Sequence, residues 1–219
     1  MSRDSLTPFQ RRLLALLADI RPRWRLTGGG ALAGFHAGHR ETRDLDLFWP
    51  QVEHFDEVVA EVGRALSEAG LSVGHVQNAR TFARRVVSDG AESCIIDLVS
   101  DSTVIVDPPI EVRVEGVVVL VDSAQEILTN KLCALLSRSE LRDLVDTKWL
   151  VEHGADFRRA VLQAQAKDSG FSAAVLAWVL HGSNIDAMGS AAGADPGPVD
   201  ELRRWRDQLV DRLVAMSAP

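Results

Sequence analysis

The chain has 219 residues, of which 46% are hydrophobic and 25% are charged, and its formal net charge is −7. This composition is ordinary for a globular protein, and the acidic balance argues against a protein that coats nucleic acid non-specifically, since that requires clustered lysine and arginine. No apolar run reaches membrane-spanning length and the polar start lacks the apolar region of a signal peptide, so the sequence predicts a cytoplasmic protein that does not bind membranes.

Helices and strands alternate in the first third of the predicted fold. A helix over 6–20 is expected to end before Pro22, and a short strand over 24–27 leads into the glycine turn Gly28–Gly30. The helical period returns over 31–37 and 53–69, with a strand over 45–48 between these two segments.

From residue 71 the apolar period becomes two, which predicts strands over 71–76, 82–87, 93–99, 103–106, 110–114 and 117–121. The strands around residue 97 are apolar on both faces and are expected to be central. The patterns Ser123-x-x-Glu126 and Ser137-x-x-Glu140 predict capping boxes at the start of two helices. One or two helices over 155–181, a loop over 182–198 and a last helix over 199–216 follow. The sequence therefore predicts an α+β fold with an α/β core over 1–122 and a helical region over 123–219.

Two aspartates form the first candidate site. Asp44 and Asp46 lie two residues apart in a predicted strand, which places both carboxylates on one face. Carboxylates this close repel each other, and a shared Mg²⁺ relieves that repulsion. A pair of such ions would clamp the attacking and leaving oxygens of a phosphoryl displacement. For the Asp-x-Asp pattern alone, a pair of surface aspartates is the favoured alternative.

The glycine turn supplies the second part of this site. Gly28, Gly29 and Gly30 let the backbone approach a phosphate closely, and the helix that follows offers free N–H groups. Alone, such a turn indicates only a tight change of direction. Together with the aspartates it predicts a phosphate cradle beside a metal site, where Arg40 and Arg43 would offset phosphate charge.

Asp97 lies inside an apolar strand, where a carboxylate is costly unless it is paired or bound to metal. It completes a three-carboxylate site or pairs with a basic residue, and the sequence favours neither. Lys131 can reach a phosphate as a point charge, and Asp143 and Asp146 share one helix face. Taken singly, each of these three is better explained by a solvated, ion-paired helix surface. The arginine clusters, Arg84-Arg85 among them, are also expected to be solvated faces.

These motifs resemble those of the AbiEii/AbiGii-type nucleotidyltransferase toxin family, within the DNA polymerase β-like nucleotidyltransferase superfamily. The first motif covers Gly28–Leu32 and His39–Asp46, and it is shared across the superfamily. The second motif covers Lys131–Asp146 and points to this family. Gly30 departs from the pattern, because the family usually has a Ser or Thr there.

The resemblance implies a nucleotidyltransferase-like mixed sheet flanked by helices, and transfer of NMP from an NTP to an acceptor with release of pyrophosphate. It implies Mg²⁺ or Mn²⁺ as cofactor, and tRNA and a cognate antitoxin protein as candidate partners. The metal ligands would be Asp44 and Asp46, with Asp97 as the candidate third carboxylate. The expected nucleotide contacts are Gly28, Gly29, Gly30, Arg40 and Thr42. Lys131 would hold a phosphate, and Asp143 and Asp146 would act near the nucleotide or the acceptor.

Two other functions stay open. An antibiotic-modifying nucleotidyltransferase shares a similar glycine and Asp-x-Asp motif, and the net charge of −7 suits a cationic drug. A binding module that keeps only the fold is disfavoured, because Asp44, Asp46, Lys131 and Asp143 are all present.

Overall fold

The computed structural model of the protein describes residues 5–37 and 41–217. The chain divides into two compact units, residues 1–123 and 124–219. We refer to them as the sheet unit and the helical unit. Within the described ranges, no helix combines the length and apolarity needed to cross a bilayer.

The sheet unit is built around seven strands. Its elements in chain order are α1 (Pro8–Leu17), β1 (Arg25–Thr27), α2 (Gly28–Ala31), β2 (Asp44–Pro50), α3 (Phe55–Glu68), β3 (Ser72–Asn78), β4 (Phe82–Ser88), β5 (Ser93–Asp101), β6 (Ile110–Val114) and β7 (Val117–Val121). After α2 the chain continues through a π-helical turn, Leu32–His36.

The sheet is mixed, with the strand order β3-β4-β5-β2-β1-β7-β6. β2 is parallel to β5 and antiparallel to β1, whereas β1 is parallel to β7. β5 lies inside the sheet, between β4 and β2, as its apolar residues on both faces predict. The predicted α+β fold with a mixed sheet is therefore confirmed.

The strand predicted over 103–106 is wrong. The Thr103 amide donates to Asp101 Oδ1 at 2.9 Å, so the chain turns away from the sheet directly after β5. Val104 and Ile105 are exposed, and no strand of the sheet pairs with them. Pro108 and Pro109 follow, and neither can donate a ladder hydrogen bond.

Alternation along β2 separates a buried face from a polar one. Leu45, Leu47 and Trp49 are fully buried, whereas the positions between them are only partly buried. Trp49 packs against Phe55 of α3, with ring centroids 6.3 Å apart. The buried face fixes the register of β2, because a slip by one residue would bring Asp44 and Asp46 into the core.

The helical unit consists of α4 (Ala124–Ser137), α5 (Leu141–Glu152), α6 (Phe157–Lys167), α7 (Ala173–Gly182), α8 (Ile185–Ala191) and α9 (Pro196–Ser217). The loop predicted over 182–198 is wrong, since the Asn184 side chain accepts from the Ala187 amide and begins α8. The second predicted capping box is also wrong. Ser137 is the last residue of α4, and α5 begins only after Ser139, whose φ is +45°.

Candidate active site

Three carboxylates lie on neighbouring strands of the sheet unit. Asp44 and Asp46 share one face of β2, since residues two apart in a strand point the same way. The parallel register of β2 and β5 places Asp97 directly beside Asp46. The sheet therefore brings together the three aspartates that the sequence indicates as metal ligands.

Arg84 of β4 binds the third of these carboxylates. Its Nε donates to Asp97 Oδ1 at 2.7 Å and its Nη2 donates to Oδ2 at 2.6 Å, a two-pronged pair. The hydrogen bonds to Asp97 and the negative charges of Asp97, Asp44 and Asp46 hold the pKa of Arg84 above its ordinary value. Arg84 was expected on a solvated face, and its side chain is 39% exposed. The sequence did not predict its partner, because the register of β4 and β5 places it beside a buried aspartate.

The glycine turn packs against the second aspartate of β2. Gly28 begins α2 with φ at +62°, and a β-carbon there would collide with Asp46 Oδ2. Gly29 follows it in the same short helix, and Gly30 is buried. A β-carbon on Gly30 would lie 3.3 Å from the Asp44 carbonyl oxygen. Gly28 and Gly30 therefore bring backbone close to the Asp-x-Asp strand.

Of the two remaining predicted nucleotide contacts, the structure describes Thr42. Thr42 is buried, and its Oγ1 donates to Asp44 Oδ1 at 3.2 Å, so it orients the first aspartate. The Gln10 side chain holds Thr42 in turn, through Nε2 to the Thr42 carbonyl oxygen at 2.9 Å. Arg40, the other predicted nucleotide contact, lies outside the described residues together with His39.

The donor chemistry of β2 suits a hard divalent cation. Asp44 and Asp46 supply the carboxylate oxygens that Mg²⁺ prefers, and the absence of a β-carbon on Gly28 keeps that position beside Asp46 Oδ2 open. Within residues 5–37 and 41–217, no group of three or more His, Cys, Asp or Glu side chains is arranged to hold a metal ion. Both Asp97 oxygens are bound by Arg84. Each of these oxygens keeps a second lone pair, and the role of Asp97 as third metal ligand stays a prediction.

A second charged cluster lies between α4 and α5 of the helical unit. Lys131 Nζ is 2.7 Å from Asp143 Oδ1 and 2.8 Å from Asp146 Oδ2. Arg138 adds a second cation, with its Nε 2.8 Å from Asp143 Oδ2. Both carboxylates are fully buried and Lys131 is only 6% exposed. The solvated helix surface expected for these residues taken singly is therefore wrong.

The charges of this cluster compensate each other. Burial acts to raise the pKa of Asp143, but hydrogen bonds and positive charge from Arg138 and Lys131 outweigh it and hold the pKa below its ordinary value. The Thr147 hydroxyl donates to the Asp143 carbonyl oxygen at 2.6 Å and ties the cluster to α5. The arrangement holds the Lys131 ammonium group against two carboxyl groups away from water.

A mixed sheet with a glycine turn packed against an Asp-x-Asp strand defines the nucleotidyltransferase class of fold. Residues 12–213 match the family model described as "Nucleotidyl transferase AbiEii toxin, Type IV TA system". The chain belongs to this family, and it is a nucleotidyltransferase. No curated protein matches the sequence significantly.

Solved structures with this fold include a toxin and a resistance enzyme. The nucleotidyltransferase toxin MenT4 from Mycobacterium tuberculosis is 17% identical, with TM-score 0.66 over 93% of this chain and 82% of its own. JHP933 from Helicobacter pylori is 19% identical, with TM-score 0.55 over 94% and 91%. The antibiotic-resistance factor ANT(2'')-Ia is 16% identical, with TM-score 0.50 over 74% and 92%. At these identities the likeness establishes the fold.

Proposed function

We propose that this protein transfers NMP from an NTP to tRNA or another macromolecular acceptor, as the toxin of a toxin–antitoxin pair. An acceptor hydroxyl oxygen bonds to the α-phosphorus of the NTP, the bond from that phosphorus to the β-phosphate bridge breaks, and pyrophosphate leaves. The hydroxyl proton is lost to solvent or a nearby base. The observation that carries the proposal is the Asp44–Asp46 pair on β2, packed against the glycine turn at Gly28.

Asp44 and Asp46 would hold Mg²⁺ or Mn²⁺, which when bound stabilises the negative charge that develops on the phosphates. The chain itself fixes both carboxylates in advance. Thr42 orients Asp44 by its hydroxyl hydrogen bond, and the backbone of Gly28 confines Asp46. The free amides of the glycine turn would contact the triphosphate.

The helical unit contributes the residues of the second family motif. We propose a phosphate contact for Lys131, and contacts to the nucleotide or the acceptor for Asp143 and Asp146. Because the Lys131 ammonium is already shared by both buried carboxylates, its first effect is to hold them in place. A kinetic test of these residues must therefore be paired with a measurement of stability.

A labelling assay tests the reaction. The wild-type protein and Asp46→Asn would be incubated with Mg²⁺, total cellular RNA and each common NTP carrying an α-phosphate label. Glu57→Gln, which changes an exposed carboxylate of α3, is the matched control. We expect label in tRNA-sized RNA with the wild type and the control, and none with Asp46→Asn. Equal labelling by all three proteins would remove Asp46 from the site.

A small cationic antibiotic is the second candidate acceptor. The net charge of −7 and the fold shared with ANT(2'')-Ia favour it. A parallel assay would contain a cationic antibiotic in place of RNA, and transfer of label to the antibiotic would support this alternative. Label that enters RNA in the first assay, with none on the antibiotic in the second, would support the first proposal.

A further inference from the structure

A cavity of about 790 Å³ lies between α3 and the β3–β4 hairpin. Arg85 of β4 lines it, and Arg84, the neighbouring residue, is bound to Asp97. Successive residues in a strand point to opposite faces of the sheet. The cavity therefore lies on the face away from the three carboxylates, and nothing proposed for nucleotidyl transfer uses it.

Arg85 brings a buried positive charge to this cavity. It is 2% exposed, and burial lowers the pKa of its guanidinium. Nη1 donates to the carbonyl oxygens of Gln77 and Arg84, at 3.1 and 3.0 Å, and Nη2 donates to Asn78 Oδ1 at 2.7 Å. These acceptors are all neutral. They satisfy hydrogen bonds, but no carboxylate within residues 5–37 and 41–217 forms an ion pair with Arg85, and an uncompensated charge is costly in the interior.

Two more arginines add positive charge to the cavity wall. Arg64 of α3 and Arg80 of the β3–β4 turn line it as well. Among the described residues, neither forms an ion pair. The acidic lining residues, Glu53 and Asp56, lie at the start of α3, and Asp56 is about 12 Å along the helix from Arg64. Arg64 therefore lies away from Asp56. Arg80 lies at the same end of the cavity as Glu53, since Ser100 bonds both the Val52 amide and the Thr81 carbonyl oxygen. With Arg85, the lining carries three guanidinium groups against two carboxylates.

Gly63 keeps the space beside α3 open. It lies in the middle of the helix and lines the cavity, and a β-carbon there would meet nothing within 4 Å. Glycine inside a helix costs about 1 kcal/mol relative to alanine. Phe55 and Val59 add apolar wall on the same helix. Gly63 therefore makes α3 less stable at the point where a larger side chain would enter the cavity.

We propose that this cavity binds an organic anion, a molecule with an apolar or aromatic body and one phosphate, sulfonate or carboxylate group. The volume lies within the range of small-molecule sites, about 300–1,000 Å³. The apolar walls suit the body, and guanidinium groups bind such anions through paired hydrogen bonds. The competing explanation is that Arg85 only clamps β3 to β4, where the register shifts between His75 and Gln77.

Two fluorescent probes test the proposal. One is 8-anilinonaphthalene-1-sulfonate, an aromatic anion, and the other is N-phenyl-1-naphthylamine, its uncharged analogue. We expect saturable one-to-one binding of the anion by the wild type. The double variant Arg64→Gln/Arg80→Gln should bind the anion about tenfold more weakly, roughly 1.4 kcal/mol, and the uncharged probe as before. Equal anion binding by the double variant and the wild type would overturn the proposal.

Gly63→Leu tests the location of the probe. The leucine side chain would project into the cavity beside α3 and obstruct the probe while improving the helix, so binding should weaken strongly and the free energy of unfolding should not fall. Trp178→Ser is the control, because Trp178 is 77% exposed on α7 and is the other candidate surface for an aromatic probe. Loss of binding in Trp178→Ser, or its retention in a folded Gly63→Leu protein, would contradict the assignment.

Discussion

Asp46 occupies the space into which a side chain on Gly28 would point. Gly28 has φ at +62°, a conformation that residues with a β-carbon adopt with difficulty, and a β-carbon there would collide with Asp46 Oδ2. The first glycine of the turn and the second aspartate of the Asp-x-Asp strand are therefore one structural unit. Replacing Gly28 by a residue with a β-carbon must therefore move the Asp46 side chain.

Gly28→Ala should lower both stability and nucleotidyl transfer. The left-handed backbone costs about 1–2 kcal/mol for alanine, and displacement of Asp46 should reduce transfer at least tenfold. Gly116→Ala is the matched control, because Gly116 has φ at +87° and open space where its β-carbon would lie. Denaturant unfolding and the labelling assay would be run on both. Full activity in Gly28→Ala would show that Asp46 tolerates displacement.

Gly30→Ser restores the hydroxyl residue usual in the family, and it should be tolerated. A β-carbon on Gly30 would lie 3.3 Å from both the Asp44 carbonyl oxygen and Leu45 Cδ2. These atoms of β2 need to shift by only a few tenths of an ångström to accommodate it. We expect a stability change within about 1 kcal/mol and NTP affinity that is equal or higher. Unfolding curves and NTP titration would check this. Collapse of the fold would mean that the contact with β2 cannot relax.

Arg84→Gln should strengthen the binding of a divalent cation at the Asp44–Asp46 pair. Arg84 feels the charges of both aspartates as well as that of Asp97, so its removal makes the cluster more negative. We expect about tenfold tighter Mn²⁺ binding, or roughly 1.4 kcal/mol. The measurement is the decrease of the electron paramagnetic resonance signal of free Mn²⁺ as the protein is added. Arg43→Gln is the control, because it shows whether loss of any arginine near Asp44 tightens Mn²⁺ binding. Unchanged Mn²⁺ affinity in Arg84→Gln would separate Arg84 from the cation site.

The sequence predicts the Asp-x-Asp strand and the glycine turn because both depend on local chemistry. Strand period two places Asp44 and Asp46 on one face, and strand, glycine turn and helix follow each other directly along the chain. The partner of Asp97 could not be found in this way, since Arg84 meets it only through the antiparallel register of β4 and β5.

Burial of charged residues was the main feature that sequence patterns missed. Lys131, Asp143 and Asp146 have helical spacing compatible with a surface, and only the packing of α4 on α5 encloses them. Arg85 is adjacent to Arg84 and was predicted with it as a solvated face, yet it is buried on the other side of the sheet. Short helices were missed for a related reason, because in α8 the cap at Asn184 outweighs a composition rich in glycine, alanine and serine.

Lys131→Met should destabilise the helical unit strongly. It removes the ammonium group that the two fully buried carboxylates share, and loss of one partner of a buried pair costs about 3–5 kcal/mol. Adding Asp146→Asn should recover part of this loss, with a coupling energy of about 1–3 kcal/mol in a double-mutant cycle. Lys148→Met, which breaks pairs with the partly exposed Glu152 and Glu201, should cost below about 1 kcal/mol. Additive effects of Lys131→Met and Asp146→Asn would show that the two residues do not interact.

The acid sensitivity of the helical unit should depend on Arg138. The pKa of Asp143 is lowered in the folded state from an ordinary value of 3.8, so between the two values the unfolded chain binds more protons. Stability from this group is therefore complete above the unfolded pKa and is lost as pH falls through the folded one.

Arg138→Gln removes the largest lowering influence on the Asp143 pKa, and Arg138 is half exposed, so the variant should fold. The fall in unfolding free energy between about pH 6 and pH 3 should then be smaller than in the wild type. Arg142→Gln changes an arginine of similar exposure that pairs with Glu140, and it should keep the wild-type pH profile. Denaturant titrations at a series of pH values would give the dependence of the unfolding free energy on pH for each variant. An unchanged acid slope in Arg138→Gln would mean that Lys131 alone keeps Asp143 ionised.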